Sequence, residues 1–277
     1  TTLYYRPAGK GNRISLYWSS AWTSYTFSEQ SVKLTDSAQT GTWTNAARTI
    51  TGLTSTAQLV RGMQVTGLNI AASTVISSID SATQVTISNF PTGSGTGAAV
   101  TFKLAPSTVY DVYAVPTSSS AFQVQLGNPW TNATTRADAI TEANEQDGVL
   151  CNDAQINNGD SNNIAAKAGR WLGTIYTTAT AGQTEDSLLN RFVWNQYNQV
   201  PLLCEEADAS SHPYGTATTR QWRAQTNNQL NFVLGWPQSL EYFMWATGIV
   251  AAVGNIAGVA PALDSATNED TTGECAE

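Results

Sequence analysis

A chain of 277 residues with 41% hydrophobic content is long enough for two domains, or for one large β-domain with an insertion, and it can bury a sizeable core. Its 13 Lys and Arg stand against 21 Asp and Glu, giving a net charge of −8 and a pI near 4.6. The basic residues are scattered, which excludes the clustered cations that a phosphate backbone needs, and an anionic membrane surface would repel the chain.

Along the first 36 residues, period-two alternation predicts strands over 2–6, 13–18 and 24–34, with a Gly-rich turn near 9–12. No basic-then-apolar leader pattern precedes them. The missing initiator Met reads as a trimmed end or as part of a longer chain. Residues 37–104 read as an inserted module dense in Thr, Ser and Gly, with strands over 63–68, 73–79 and 83–88. Asp80, Ser81, Ala82 and Thr83 form a natural hairpin turn, and 100–104 returns the chain to the parent sheet. The Gly-rich run at 93–97 has no Gly-Lys-Ser/Thr and no strand-to-helix setting, so it reads as a flexible hairpin tip and not as a phosphate loop.

From 105 to 178, strands are predicted over 109–115, 122–125 and 170–176. Residues 134–146 have helical spacing, with Ala137, Ile140, Ala143 and Asn144 on one face, which indicates a short helix or a wide loop. Residues 157–163 are an Asn-rich surface loop. The stretch 179–260 is the most apolar and reads as a C-terminal β-domain. Its run at 243–253 falls short of the roughly 20 apolar residues that span a bilayer. The tail, 261–277, is acidic and reads as peripheral. The fold class is therefore all-β: an antiparallel, sandwich- or jelly-roll-like protein with little helix. Residues 1–36 and 105–178 form its N-terminal β-domain, with the small β-module inserted between them.

Catalytic equipment is sparse. The single His, His212, lies in a turn-like segment, and no nucleophile elbow or Cys/His arrangement accompanies it. Acid pairs that a glycosidase would need are Glu205-Glu206 with Asp208, Glu185-Asp186, and Glu142, Glu145 and Asp147; each reads better as a solvated acidic loop. The loops at Asn152-Asp153 and Asp160 are the candidates for a Ca²⁺ at a subunit contact. No catalytic residue, cofactor site or metal site is assigned. Cys151, Cys204 and Cys275 have no metal-ligand spacing. They read as buried free thiols, with two alternatives: Cys151 paired with Cys204, or Cys275 linking neighbouring subunits. Of the nine Trp, Trp171, Trp194, Trp222 and Trp245 sit in strand-like runs and read as core or interface. Trp43 and Trp130 lie near turns and are the candidates for exposed contact aromatics.

Several blocks resemble a family of tailed-bacteriophage structural proteins. Residues 2–7, 11–17 and 25–29 resemble its opening, and 109–113, 130–137, 146–149, 170–178, 182–187 and 191–198 continue the likeness in order. Within the module, 62–67 and 74–81 resemble small β-repeats of phage fibres and bacterial adhesins. The resemblance implies a virion component displayed as a fibre or appendage, attached at tail or neck and touching the host surface. Alternatives are a capsid decoration protein, a glycan-cleaving tailspike and, more distantly, a cellular adhesin or carbohydrate-binding module. The low-charge surface, with charged residues at 12%, about half the usual share, suits a homo-oligomer; the fibre likeness implies a trimer. Other virion proteins and a host-surface glycan are the further partners expected, with no nucleic acid and no membrane insertion.

Overall fold

The computed structural model describes residues 1–6, 12–142, 148–158, 163–198 and 230–237. The chain is all-β: the described residues contain eighteen strands and no helix, and every pairing but one is antiparallel. The N-terminal strands show why alternation was readable. In the hairpin of β2 (Arg13–Trp18) and β3 (Ala21–Thr26), Ile14 and Leu16 point inward opposite Tyr25 and Thr23, while Tyr17 and Trp22 pair on the other face. Trp18 pairs with Ala21, so Ser19 and Ser20 alone make the turn, at φ 49° and 67°. That backbone matches the right-handed twist of the flanking strands. The segment 24–34 is not one strand. Its end belongs to β4 (Gln30–Lys33), which pairs with β1 (Thr2–Tyr5), so the chain must leave the first hairpin at 27–29 to reach another partner.

The next strands are β5 (Thr35–Trp43), β6 (Thr49–Ile50), β7 (Gln64–Gly67), β8 (Ile76–Ser81), β9 (Gln84–Ile87) and β10 (Gly95–Lys103). They form two three-stranded sheets, ordered β5-β10-β7 and β6-β9-β8. Both margins are stitched together, by the bridges Thr42↔Thr51 and Gln64↔Val75. Hydrogen bonding therefore runs full circle, and the module is a small closed barrel of six strands. Closure removes the free edges that a short sheet would otherwise expose. Trp43, Ile50, Val65, Ile79, Val85 and Phe102 fill its interior, each no more than 2% exposed. The barrel begins and ends side by side: Thr35 pairs with Lys103, and Leu104 N–H donates to Leu34 C=O at 3.0 Å.

Two details differ from expectation. The Gly-rich run is not a flexible tip, because β10 starts at Gly95 and lies flat on the indole of Trp43; a Cβ there would sit 2.6 Å from the ring. The turn at 80–83 does form, with Ser81 opposite Gln84. Asp80, however, accepts bonds from Ser78 Oγ (2.7 Å), Thr86 Oγ1 (2.7 Å) and Gln84 Nε2 (3.2 Å), joining side chains across the hairpin.

The main sheet is built from β11 (Val109–Pro116), β12 (Phe122–Pro129), β13 (Ile140–Glu142), β14 (Leu150–Asn152) and β15 (Arg170–Tyr176) in the order β12-β11-β15-β14-β13. Two short strands follow, β16 (Asn190–Arg191) and β17 (Val193–Asn195), the latter also pairing with β15. Thus a strand from the stretch expected to open a C-terminal domain completes the main sheet instead. The last strand, β18 (Asn231–Phe232), runs parallel to β16. Of the stretch expected as a short helix or a wide loop, the described residues 134–142 hold no helix: Ile140 belongs to β13, held by its ladder to Asn152 of β14. Tertiary pairing overrides weak local propensity in so short a window.

All eight residues of β11 are buried, so both faces of the sheet are covered. One face packs Tyr110, Val112, Ala114 and Leu172 against Leu16, Tyr25 and Phe27 of the N-terminal strands, in a core continuous with the barrel interior. The other face gathers Tyr113, Val115, Leu150, Ile156, Ile164 and Trp171.

Candidate functional site

The centre of that second face holds the most unusual group of side chains, around Asp111. Alternation along β11 puts Asp111 beside Tyr113, and the carboxylate is only 3% exposed. Its Oδ1 accepts from Thr174 Oγ1 at 2.6 Å and from the Trp171 indole N–H at 3.0 Å. Its Oδ2 accepts from the Trp130 indole N–H at 2.8 Å and from Arg136 Nε at 2.9 Å. The guanidinium of Arg136 lies 4.5 Å from the Trp130 ring centroid and 5.0 Å from that of Trp171, and donates onward to Gly235 C=O. Trp171 in turn stacks on Trp194 at 5.1 Å and meets Trp236 at 6.0 Å. One buried ion pair thus ties together β11, the end of β12, β15, β17 and the segment 230–237.

Burial pushes the Asp111 carboxyl above the usual carboxylate range, opposed by the charge of Arg136 and the bonds from Thr174, Arg136 and Trp130. A raised carboxyl in a site is a reason to consider proton transfer. Here the donors occupy about as many lone-pair positions as a carboxylate has. Asp111 is therefore arranged to hold neighbours in place, and no lone pair is left for a substrate.

The predicted site residues fall elsewhere. Trp43 is no contact aromatic; it is 2% exposed inside the barrel, because β10 closes over it. Trp130 is half-buried, with its N–H held by Asp111 and its ring covered by Arg136. Cys151 is a buried free thiol on β14, and burial pushes it up to about 11. Cys204 and Cys275 lie outside the described residues, as do His212, Glu205, Glu206, Asp208, Glu145, Asp147, Asp160, Trp222 and Trp245. Glu185 accepts from Ser187 Oγ and Asn190 Nδ2, which hold its carboxyl below the usual range, and Asp186 pairs with Arg191 at 3.0 Å. Asn152 uses its amide on Ala154 C=O, Ala165 C=O and Gly169 N–H, each at 2.8 Å, to shape the loop before β15. Among the described residues no group of His, Cys, Asp and Glu is placed to hold a metal. An open groove of about 410 Å³ runs between the barrel and the main sheet, lined by Arg61, Ser77, Asn128, Pro129 and Asp138 among others.

The Asp111 cluster was missed in the sequence, although one signal was present: a lone acid inside the apolar run of 109–115. Nothing in the sequence paired it with Arg136, 25 residues away.

The state of Cys151 gives a direct check. At pH 8 about one thiol in a thousand is ionised at such a pKa. Alkylation of native protein, mapped by mass spectrometry, is expected to label Cys151 on the order of 100-fold more slowly than the same residue in denaturant. Equal labelling in both states would show that the thiol is neither buried nor raised.

Comparison with protein-family models, with curated proteins and with solved structures gives no match.

Proposed function

We propose that this chain is a bacteriophage virion structural protein: a fibre or appendage subunit, attached at the tail or neck and contributing to host-surface contact. The observation that carries the reading is the self-closed barrel, which leaves and rejoins the antiparallel main body through the paired residues Thr35 and Lys103, the one parallel pairing, β16–β18, lying elsewhere. An insertion whose ends are adjacent adds a module without opening the parent core. Such a build suits a protein that displays a domain on a particle. The blocks resembling phage structural proteins, and those in the barrel resembling fibre repeats, point the same way. Self-association, as a trimer, fits the exposed apolar side chains at the β16–β18 pair, where Leu188, Leu189, Leu230 and Phe232 are 38–49% exposed.

Cryo-EM of intact particles, with this chain located by an antibody fragment, tests the proposal. Density in a few threefold bundles at the tail or neck is the expected result. Density repeating over the capsid lattice would replace the fibre with a decoration protein. Absence of the chain from purified particles would end the virion reading, and loss of host polysaccharide on incubation with pure protein would move it to the glycan-cleaving class.

A further inference from the structure

We propose that the groove between the barrel and the main sheet binds a small zwitterion: a ligand with a carboxylate and an ammonium at the two ends of an aliphatic spacer. The two sides of the groove carry opposite charges. On the barrel side, Arg61 is exposed and donates from Nε to Ser77 C=O of β8 at 2.8 Å. On the main-sheet side, Asp138 lies in the segment between β12 and β13. It accepts from the Asn128 backbone N–H at 2.9 Å and from Asn128 Nδ2 at 3.1 Å. Each side chain is thus tethered to its own wall. Arg61 and Asp138 are not paired with each other, and neither has an ion-pair partner among the described residues, whereas Arg6, Lys33, Arg136 and Arg191 each have one. The Nη groups of Arg61 and about half of the acceptor positions of Asp138 are left for a ligand. A planar guanidinium fork matches a carboxylate, and a carboxylate with free lone pairs takes an ammonium.

The rest of the groove favours a zwitterion over a bare ion. At about 410 Å³ it has the size of pockets that take small ligands. Val75, Ile76, Pro129 and Ala137 also line it, and this apolar surface suits methylene groups and offers little to a hydrated ion. A lone anion entering the groove would meet Asp138, and a lone cation would meet Arg61; a ligand carrying both charges is attracted by both. The walls are also fixed relative to each other. Gly62, next to Arg61, has φ 82° and donates its N–H to Ile76 C=O at 2.9 Å. A Cβ there would lie 3.0 Å from Pro129 Cγ, so barrel and main sheet touch at this point and set the width of the groove. Walls held in this way lose little freedom when a ligand binds. The site does not depend on the appendage reading.

The test is titration of the full chain with glycine, γ-aminobutyrate and ε-aminocaproate, followed by calorimetry and saturation-transfer NMR. The better of the two longer compounds is expected to bind with Kd of roughly 1 mM, as two ion pairs open to water and a short apolar spacer would give. Glycine, with no spacer to cover the apolar lining, is expected to bind at least about 5-fold more weakly. The matched compounds with one charge, the fatty acid and the alkylamine of the same length, are each expected to bind about 5-fold more weakly, the upper end for an exposed ion pair. Arg61→Gln should weaken the zwitterion about 5-fold and leave the alkylamine unchanged; Asp138→Asn should weaken it as much and leave the fatty acid unchanged. That crossed pattern reports charge pairing, because a variant that merely distorted the groove would weaken every ligand. No binding of any of the three to the parent chain, or zwitterion binding unchanged in both variants, overturns the proposal. A fatty acid or an alkylamine that binds as tightly as the zwitterion overturns the assignment of two charged ends.

Discussion

Replacing Asp111 by Ala is expected to remove about 3–5 kcal/mol of folding stability. The reason lies in what is left behind. The guanidinium of Arg136 stays between Trp130 and Trp171, and the indole N–H groups of Trp130 and Trp171 and the hydroxyl of Thr174 lose their acceptor together. An uncompensated charge and stranded donors each add a desolvation penalty. Against a total stability of about 5–15 kcal/mol, this is a large fraction, and thermal unfolding should fall by on the order of 10 °C. The companion experiment is the double replacement Asp111→Leu with Arg136→Met. It should be less damaging than Asp111→Ala alone, because no buried charge remains. If Asp111→Ala unfolds within about 1 kcal/mol of the parent, the knot does not hold the second face together.

Gly173→Ala is expected to cost about 3 kcal/mol, the upper end for an overpacked position. A Cβ at Gly173 would collide with the Trp194 carbonyl oxygen and approach Asn195 Cα at 3.1 Å. Both obstacles are backbone, so no side chain can swing aside. The three-pair ladder Gly173↔Asn195, Thr174↔Trp194 and Ile175↔Val193 must open, and Trp194 must leave its stack on Trp171. Hydrogen exchange should report this locally, with protection lost at 193–196 and retained in the barrel. Uniform loss of protection, or none, would show that β17 does not depend on that close approach.

Both predictions concern features that the sequence displays only in part. Alternation along 13–18 and 84–87 identified strands because a strand with one buried face must repeat every second residue, whereas 109–115 was legible as a short apolar run rich in Val and Tyr, as a strand buried on both faces must be. The turn at 80–83 was legible because short polar residues between two such runs have few other solutions. The composition of 37–104 marked a distinct stretch, but not its shape. Closure depends on two isolated bridges, Thr42↔Thr51 and Gln64↔Val75, and no local pattern encodes which strand margins meet. Trp43 looked like a surface aromatic near a turn until Gly95, 52 residues on, lay against it. Within the stretch given a helical rhythm, Ile140–Glu142 yielded to a ladder with β14, which is non-local.

The candidate sites divide in the same way. An acid in the middle of a buried strand, Asp111, is visible as an anomaly, and its chemistry as a buried carboxylate follows from the residue types around it. The sequence by itself therefore determined the all-β class, most strand positions and the shortage of catalytic groups, since these depend on residue type and period-two spacing. Only the tertiary structure decided that Arg136, Trp130, Trp171 and Thr174 answer Asp111, and that Arg170 meets Ser15 and Tyr197. Those contacts join residues up to 155 positions apart, and such distances are set by sheet order and register, which are properties of the whole packed chain.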